Sequence, residues 1–153
     1  ISFNYGARNK QRVMKTIGVA ILFALFFMAI GLAAMQILPK ELLSIFNASD
    51  QMIKIGVPAL KTISISYIFA GFSVVLISVF QAFGKGLFSM SISIARQLVV
   101  LVPCAYLLSK TGELDNVWWA FPIAEVMSVL VAGAFFIYLY KKVITKLDTE
   151  QKQ

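Results

Sequence analysis

The 153-residue sequence contains no histidine and a single cysteine, Cys104. The missing histidine removes the commonest metal ligand and general base, so no catalytic metal centre is expected. One cysteine cannot form an intramolecular disulfide, and Cys104 lies inside an apolar block where a thiol packs as a small hydrophobe. Carboxylates are also scarce, with seven Asp and Glu against fourteen Lys and Arg and a net charge of +7. With no Ser, His and Asp set, no metal cluster and no phosphate-cradling glycine loop, an enzyme is not expected. Charged residues make up 14% of the chain, whereas soluble domains carry about 25%. That is too little to cover a water-facing surface.

What is present instead is 59% hydrophobic residues, gathered in blocks long enough to span a bilayer. The pattern predicts an all-α polytopic membrane protein with four transmembrane helices, at about 16–38, 57–83, 87–109 and 117–140. Thr16 to Leu38 is uncharged for 23 residues and carries small residues Ala20, Ala24, Gly31 and Ala34 near helical spacing, which lets another helix approach closely. Residues 39–56 are mixed and suit a short interfacial helix followed by a second helix starting near Ser49 and Asp50. In the second span, Ser64, Tyr67, Gly71, Ser78 and Gln81 are expected on one helix face turned away from lipid, with Ile68, Phe69, Phe72 and Leu76 elsewhere. Tyr67 and Gln81 are therefore candidates for lining a translocation path. Gly84-Lys85-Gly86 makes a tight turn. The third span carries Arg96 and Gln97 about midway and a kink is expected at Pro103. The fourth opens with Trp118 and Trp119, closes with Tyr138 and Tyr140, and is interrupted by Pro122 and Glu125.

Arg96 and Glu125 are the opposite charges well inside the spans. Arg96 lies about 15 Å from the Gly86 turn and Glu125 about 13 Å from the opposite boundary near Asn116, at about 1.5 Å per residue. Those depths agree within a helical turn in a core about 30 Å thick. An unpaired charge there costs at least about 2.5 kcal/mol, so an ion pair between the third and fourth spans is expected.

Arg8, Lys10, Arg12, Lys15, Lys85, Lys141, Lys142, Lys146 and Lys152 fall in the first segment, the Gly84 turn and the tail, and should share one side. Lys40, Lys54, Lys61 and Lys110 fall on the other. By the positive-inside rule residues 1–15 form a cytoplasmic basic loop and residues 143–153 an exposed, partly disordered cytoplasmic tail. The cations are scattered over short loops without interleaved stacking aromatics, which argues against a nucleic-acid partner. The chain starts at Ile1 with no initiator Met and no cleavable leader, and is expected to be a piece of a longer protein.

Several ordered segments then carry a family resemblance. They are Ser2-Phe3-Asn4-Tyr5-Gly6-Ala7-Arg8-Asn9, Ile55-Gly56-Val57-Pro58-Ala59-Leu60, Phe80-Gln81-Ala82-Phe83-Gly84-Lys85-Gly86, Arg96-Gln97 and Ala120-Phe121-Pro122-Ile123-Ala124-Glu125. In order and position the chain resembles the second half of the multidrug and toxic compound extrusion (MATE) transporters, its spans being similar to helices nine to twelve of twelve. The resemblance implies a two-bundle secondary antiporter in a cell membrane, of the bacterial inner-membrane kind, exporting small organic compounds in exchange for sodium ions or protons. It implies no other cofactor. Membrane lipid, the small organic substrate and eight preceding helices of the same protein would be its partners. A lipid-linked precursor or polysaccharide flippase is the nearest alternative, and a small structural or channel subunit a more distant one. Some MATE proteins bind the coupling ion with a carboxylate on the tenth helix, but Val57 to Phe83 contains no Asp or Glu. The resemblance therefore implies a coupling carboxylate in the absent N-terminal bundle.

Overall fold

A computed structural model describes residues 1–147. Among these the regular structure is helical throughout: α1 (Ser2–Gly6), α2 (Lys10–Ile37), α3 (Pro39–Ile45), α4 (Asp50–Ser64), α5 (Tyr67–Ala82), α6 (Gly86–Ile94), a π-helical segment (Ala95–Leu101), α7 (Val102–Ser109), α8 (Leu114–Val117), α9 (Ala120–Lys142) and a 3-10 turn (Ile144–Lys146). Helices suit a chain of this composition because each satisfies its own backbone hydrogen bonds where lipid offers no partner. Lys10–Ile37, Gly86–Ser109 and Leu114–Lys146 are long and apolar enough to cross a membrane, and α4 with α5 makes a fourth crossing if the bent pair is one span.

The first crossing begins earlier than the apolar run alone suggests. Asn9 caps α2 by accepting from the Arg12 N–H, so the helix starts at Lys10 and residues 1–15 are not a loop. Ahead of it α1 folds back, with Asn4 donating to Thr16 Oγ1 at 3.0 Å and the Tyr5 ring 4.3 Å from that of Phe83. At the other end Pro39 opens α3, Ser49 caps α4 through the Met52 N–H, and the interfacial region follows the expected order.

The second crossing is not one continuous helix. α4 and α5 meet at a 53° bend around Ile65 and Ser66. Ser64 Oγ donates to the Lys61 carbonyl and Ser66 Oγ to the Ile63 carbonyl. The Ile65 and Ser66 N–H groups reach back three residues rather than four. Hydroxyls that compete for backbone carbonyls tighten and end a helix. From α2, Gln36 Nε2 then donates to the Lys61 carbonyl at 2.7 Å and to Ser64 Oγ at 3.0 Å, clamping the break.

α2 packs on α5, α5 on α9, and α9 on the π segment. Close approach of α2 and α5 depends on small residues. A Cβ at Gly71 would meet the Met28 side chain at 2.9 Å, and one at Gly31 would meet the Tyr67 ring at 3.3 Å. The dry core joins Val13 and Ile17 of α2 to Leu76, Val79 and Phe80 of α5, Ile92 of α6 and Leu139 of α9. An aromatic group formed by Phe80, Phe88, Phe135 and Tyr138 links α5, α6 and α9. Gly84, with φ of +69°, closes the α5–α6 turn in the left-handed region that glycine tolerates.

Two further expectations change. Pro122 does not interrupt the fourth span. It sits in the first turn of α9, where a missing N–H is harmless, and the helix runs unbroken past Glu125 to Lys142. The start of the expected exposed tail is tucked in, with Ile144 and Leu147 buried in the core cluster beside Val13 and Phe83. Residues 148–153 of that tail lie outside the described residues.

The ends of the bundle sort by charge. The first segment, the Gly84 turn and residues 143–147 meet around Tyr5, Phe83 and Ile144. A cavity at the opposite end is lined by Gln51, Lys54, Ile55, Glu113, Leu114 and Asp115, bringing α4 and α8 together there.

Candidate translocation site around Arg96 and Glu125

The third crossing changes its winding where its charge sits. The Val102 N–H donates to the Gln97 carbonyl, five residues back, at the end of the π segment. Pro103 follows within the first turn of α7. Lacking an N–H, it cannot serve the carbonyl four residues earlier. Wider winding over residues 95–101 accommodates that gap, so the strain expected as a kink at Pro103 appears upstream as a π-helical stretch. Such stretches recur at functional sites.

Arg96 Nη1 donates to Glu125 Oε1 at 2.7 Å, with the side chains 30% and 13% exposed. The charges are thus only partly covered by this chain. Glu125 Oε2 lies 3.2 Å from Ser73 Oγ of α5, and Ser73 is fully buried. The Ser73 hydroxyl has one hydrogen and two acceptors at 3.2 Å, Glu125 Oε2 and the Ala70 carbonyl. It can serve only one at a time. Three crossings therefore converge on one carboxylate.

Arg96 also stands between two cavities of about 220 Å³ each. One is bounded by Gln97, Leu101, Phe121, Ala124 and Glu125. The other is bounded by Ile92, Ala95, Val99, Met127, Ser128 and Val131 among others. Among the described residues, Arg96 Nε and Ser128 Oγ are buried without a hydrogen-bond partner. The guanidinium thus keeps a donor free of any bond to the described residues.

Of the remaining candidates Gln97 joins this site, and Tyr67 and Gln81 do not. Gln97 is exposed beside the pair. Tyr67 lies at the α4–α5 break with its ring over Gly31. The polar face expected along the second span divides: Ser64 and Gly71 are buried, but Ser78 and Gln81 are exposed and Leu76 is 1% exposed. The division falls within α5, beyond the bend: Gly71 lies against Met28 of α2, whereas Ser78 and Gln81, about two to three turns further along, are left uncovered by this chain. In α5 the side turned into this chain carries Ser73, Leu76, Val79 and Phe80, and the one holding Ser78 and Gln81 is left open. Ser73 and Ser128 were not legible as site residues. Only the three-residue step from Glu125 to Ser128 on one face hinted at the latter.

A helical chain with three to four elements long and apolar enough to cross a membrane, and an ion pair between two of them, defines a polytopic membrane protein. The MatE family profile matches residues 1–107, and the chain belongs to that family. It is 25% identical over 145 residues to the multidrug export protein MepA of Staphylococcus haemolyticus, covering 95% of this chain and 31% of that protein. With the probable multidrug resistance protein YoeA of Bacillus subtilis it shares 26% identity over 139 residues, 90% of this chain and 30% of the relative. A solved structure of the MATE multidrug transporter DinF-BH in complex with R6G superposes with a TM-score of 0.79 at 29% identity, over 93% of this chain and 31% of that one. The chain therefore spans just under a third of the length of these relatives.

Proposed function

We propose that this chain works as one part of a longer MATE antiporter that exports small organic compounds in exchange for sodium ions or protons. Its crossings correspond to the last four of twelve helices, with both ends cytoplasmic. The observation carrying this reading is the superposition on a multidrug transporter over nearly the whole chain. The multidrug export names of the sequence relatives favour small organics over lipid-linked precursors. Arg96 and Glu125, with Gln97 beside them, line the path and exchange partners during transport; Tyr67 and Gln81 contribute at the break and on the open side of α5. Coupling draws on a carboxylate elsewhere in the protein, because residues 57–83 contain no Asp or Glu. The test is efflux of a lipophilic cationic dye by the complete protein in liposomes under separately imposed sodium and proton gradients. Dye efflux driven by one gradient and abolished by its collapse supports antiport. Movement that needs neither gradient, or none under either, overturns it.

A further inference from the structure

The bundle end where α1 folds against α2 holds a cavity of about 410 Å³ lined by Asn4, Arg12, Lys15, Thr16 and Val19. The Asn9 cap fixes the start of α2 and so the height of Arg12 and Lys15. Neither cation has a carboxylate partner among the described residues. Glu125 is taken by Arg96. Glu41 and Asp50 belong to the segment between the first two crossings, and Glu113 and Asp115 to that before α9, at the far end. Asn4 and Thr16 bond to each other, and Thr16 donates on to the Arg12 carbonyl. Asn4 and Thr16 line the cavity beside the two cations.

From this cavity one helical face runs down α2 at steps of three and four. After Val19 come Leu22, Phe23, Phe26, Phe27 and Ile30, all exposed. Val19 to Ile30 is about 16.5 Å of helix, close to the depth of one leaflet's hydrocarbon, about 15 Å. Two cations above an apolar, aromatic strip of one-leaflet length match the two halves of a phospholipid. A soluble phosphate would use only the upper half.

We propose that Arg12 and Lys15 bind the phosphodiester of an anionic phospholipid whose acyl chains lie along the Val19 to Ile30 face of α2. An uncharged glycerol headgroup brings no cation to that site. A choline headgroup would set its own cation against Arg12 and Lys15 and is disfavoured.

The test places a fluorophore beside the cavity by Val19→Trp in the complete protein, reconstituted with brominated phosphatidylglycerol or brominated phosphatidylcholine. The signal read is the fluorescence gained over the parent protein. Brominated phosphatidylglycerol should half-quench it at a mole fraction about 25-fold lower than the choline lipid at low salt, about fivefold for each cation. Arg12→Gln with Lys15→Gln should erase the preference, and Arg12→Lys with Lys15→Arg should keep it. The parent-background lipid comparison stands by itself if the neutral double variant does not fold. Equal quenching by the two lipids overturns the proposal. So does no quenching by either, which would mean that protein covers this face. Reversal of quenching by excess inorganic phosphate overturns it in favour of a soluble phosphate ligand.

Discussion

Glu125 has a donor within reach of each oxygen from another crossing, Arg96 Nη1 on one and Ser73 Oγ, shared with the Ala70 carbonyl, on the other. Removing one ion of a pair at membrane depth strands the other, at about 2.5 kcal/mol or more, whereas removing both leaves two neutral side chains. Arg96→Ala and Glu125→Ala should each lower the folded yield of the complete protein, and the double variant should recover much of it, as read by size-exclusion yield. Purely additive losses would show that the pair has no energetic coupling. If the pair acts in transport, the double variant and the charge exchange Arg96→Glu with Glu125→Arg should fold yet stay inactive in dye efflux. Ser73→Ala should cost about 1 kcal/mol, in line with hydrogen bonds between membrane helices. The pair was legible from helix arithmetic because two antiparallel neighbours place residues at matched depths. Ser73 was not, since one serine among many in an apolar helix carries no signal until its rotation about the helix is known.

Among the elements, the α4–α5 break and the π segment are where a constant helical period misleads. Thr62-Ile63-Ser64-Ile65-Ser66 contains the cause of the break, hydroxyls able to bond nearby carbonyls. Composition alone does not say whether such hydroxyls bond their own helix or a neighbour. Gln36, 25 residues away from Lys61, decides the matter by bonding its carbonyl. Gln36→Leu should remove both clamp bonds and lower stability by about 1 kcal/mol, seen as a lower thermal midpoint in detergent with the helical content retained. An unchanged midpoint would mean that Ser64 and Ser66 hold the break unaided. Pro103 was recognised as a disturbance, but its consequence lies one to two turns upstream, because the unserved carbonyls belong to residues preceding the ring. The burial of Ile144 and Leu147 was hidden by the basic residues around them.

At the scale of the molecule, the four apolar blocks and the sorting of charge were legible, since bilayer thickness and loop charge act on composition rather than on contacts. Half a cavity should not transport: in the proposed reading the 153-residue chain alone, inserted in liposomes, moves no dye under either gradient. Gradient-driven efflux by the isolated chain would refute that reading. The central claim is that four membrane crossings put the basic segments on the cytoplasmic side and residues 39–56 and 110–116 outside. It is tested most directly by single cysteines at Ser49 and at Lys85 in a Cys104→Ser background, probed in intact cells with a membrane-impermeant thiol reagent. The account predicts labelling at position 49 and none at position 85 until the membrane is permeabilised; labelling of position 85 alone, or of both positions in intact cells, would contradict it.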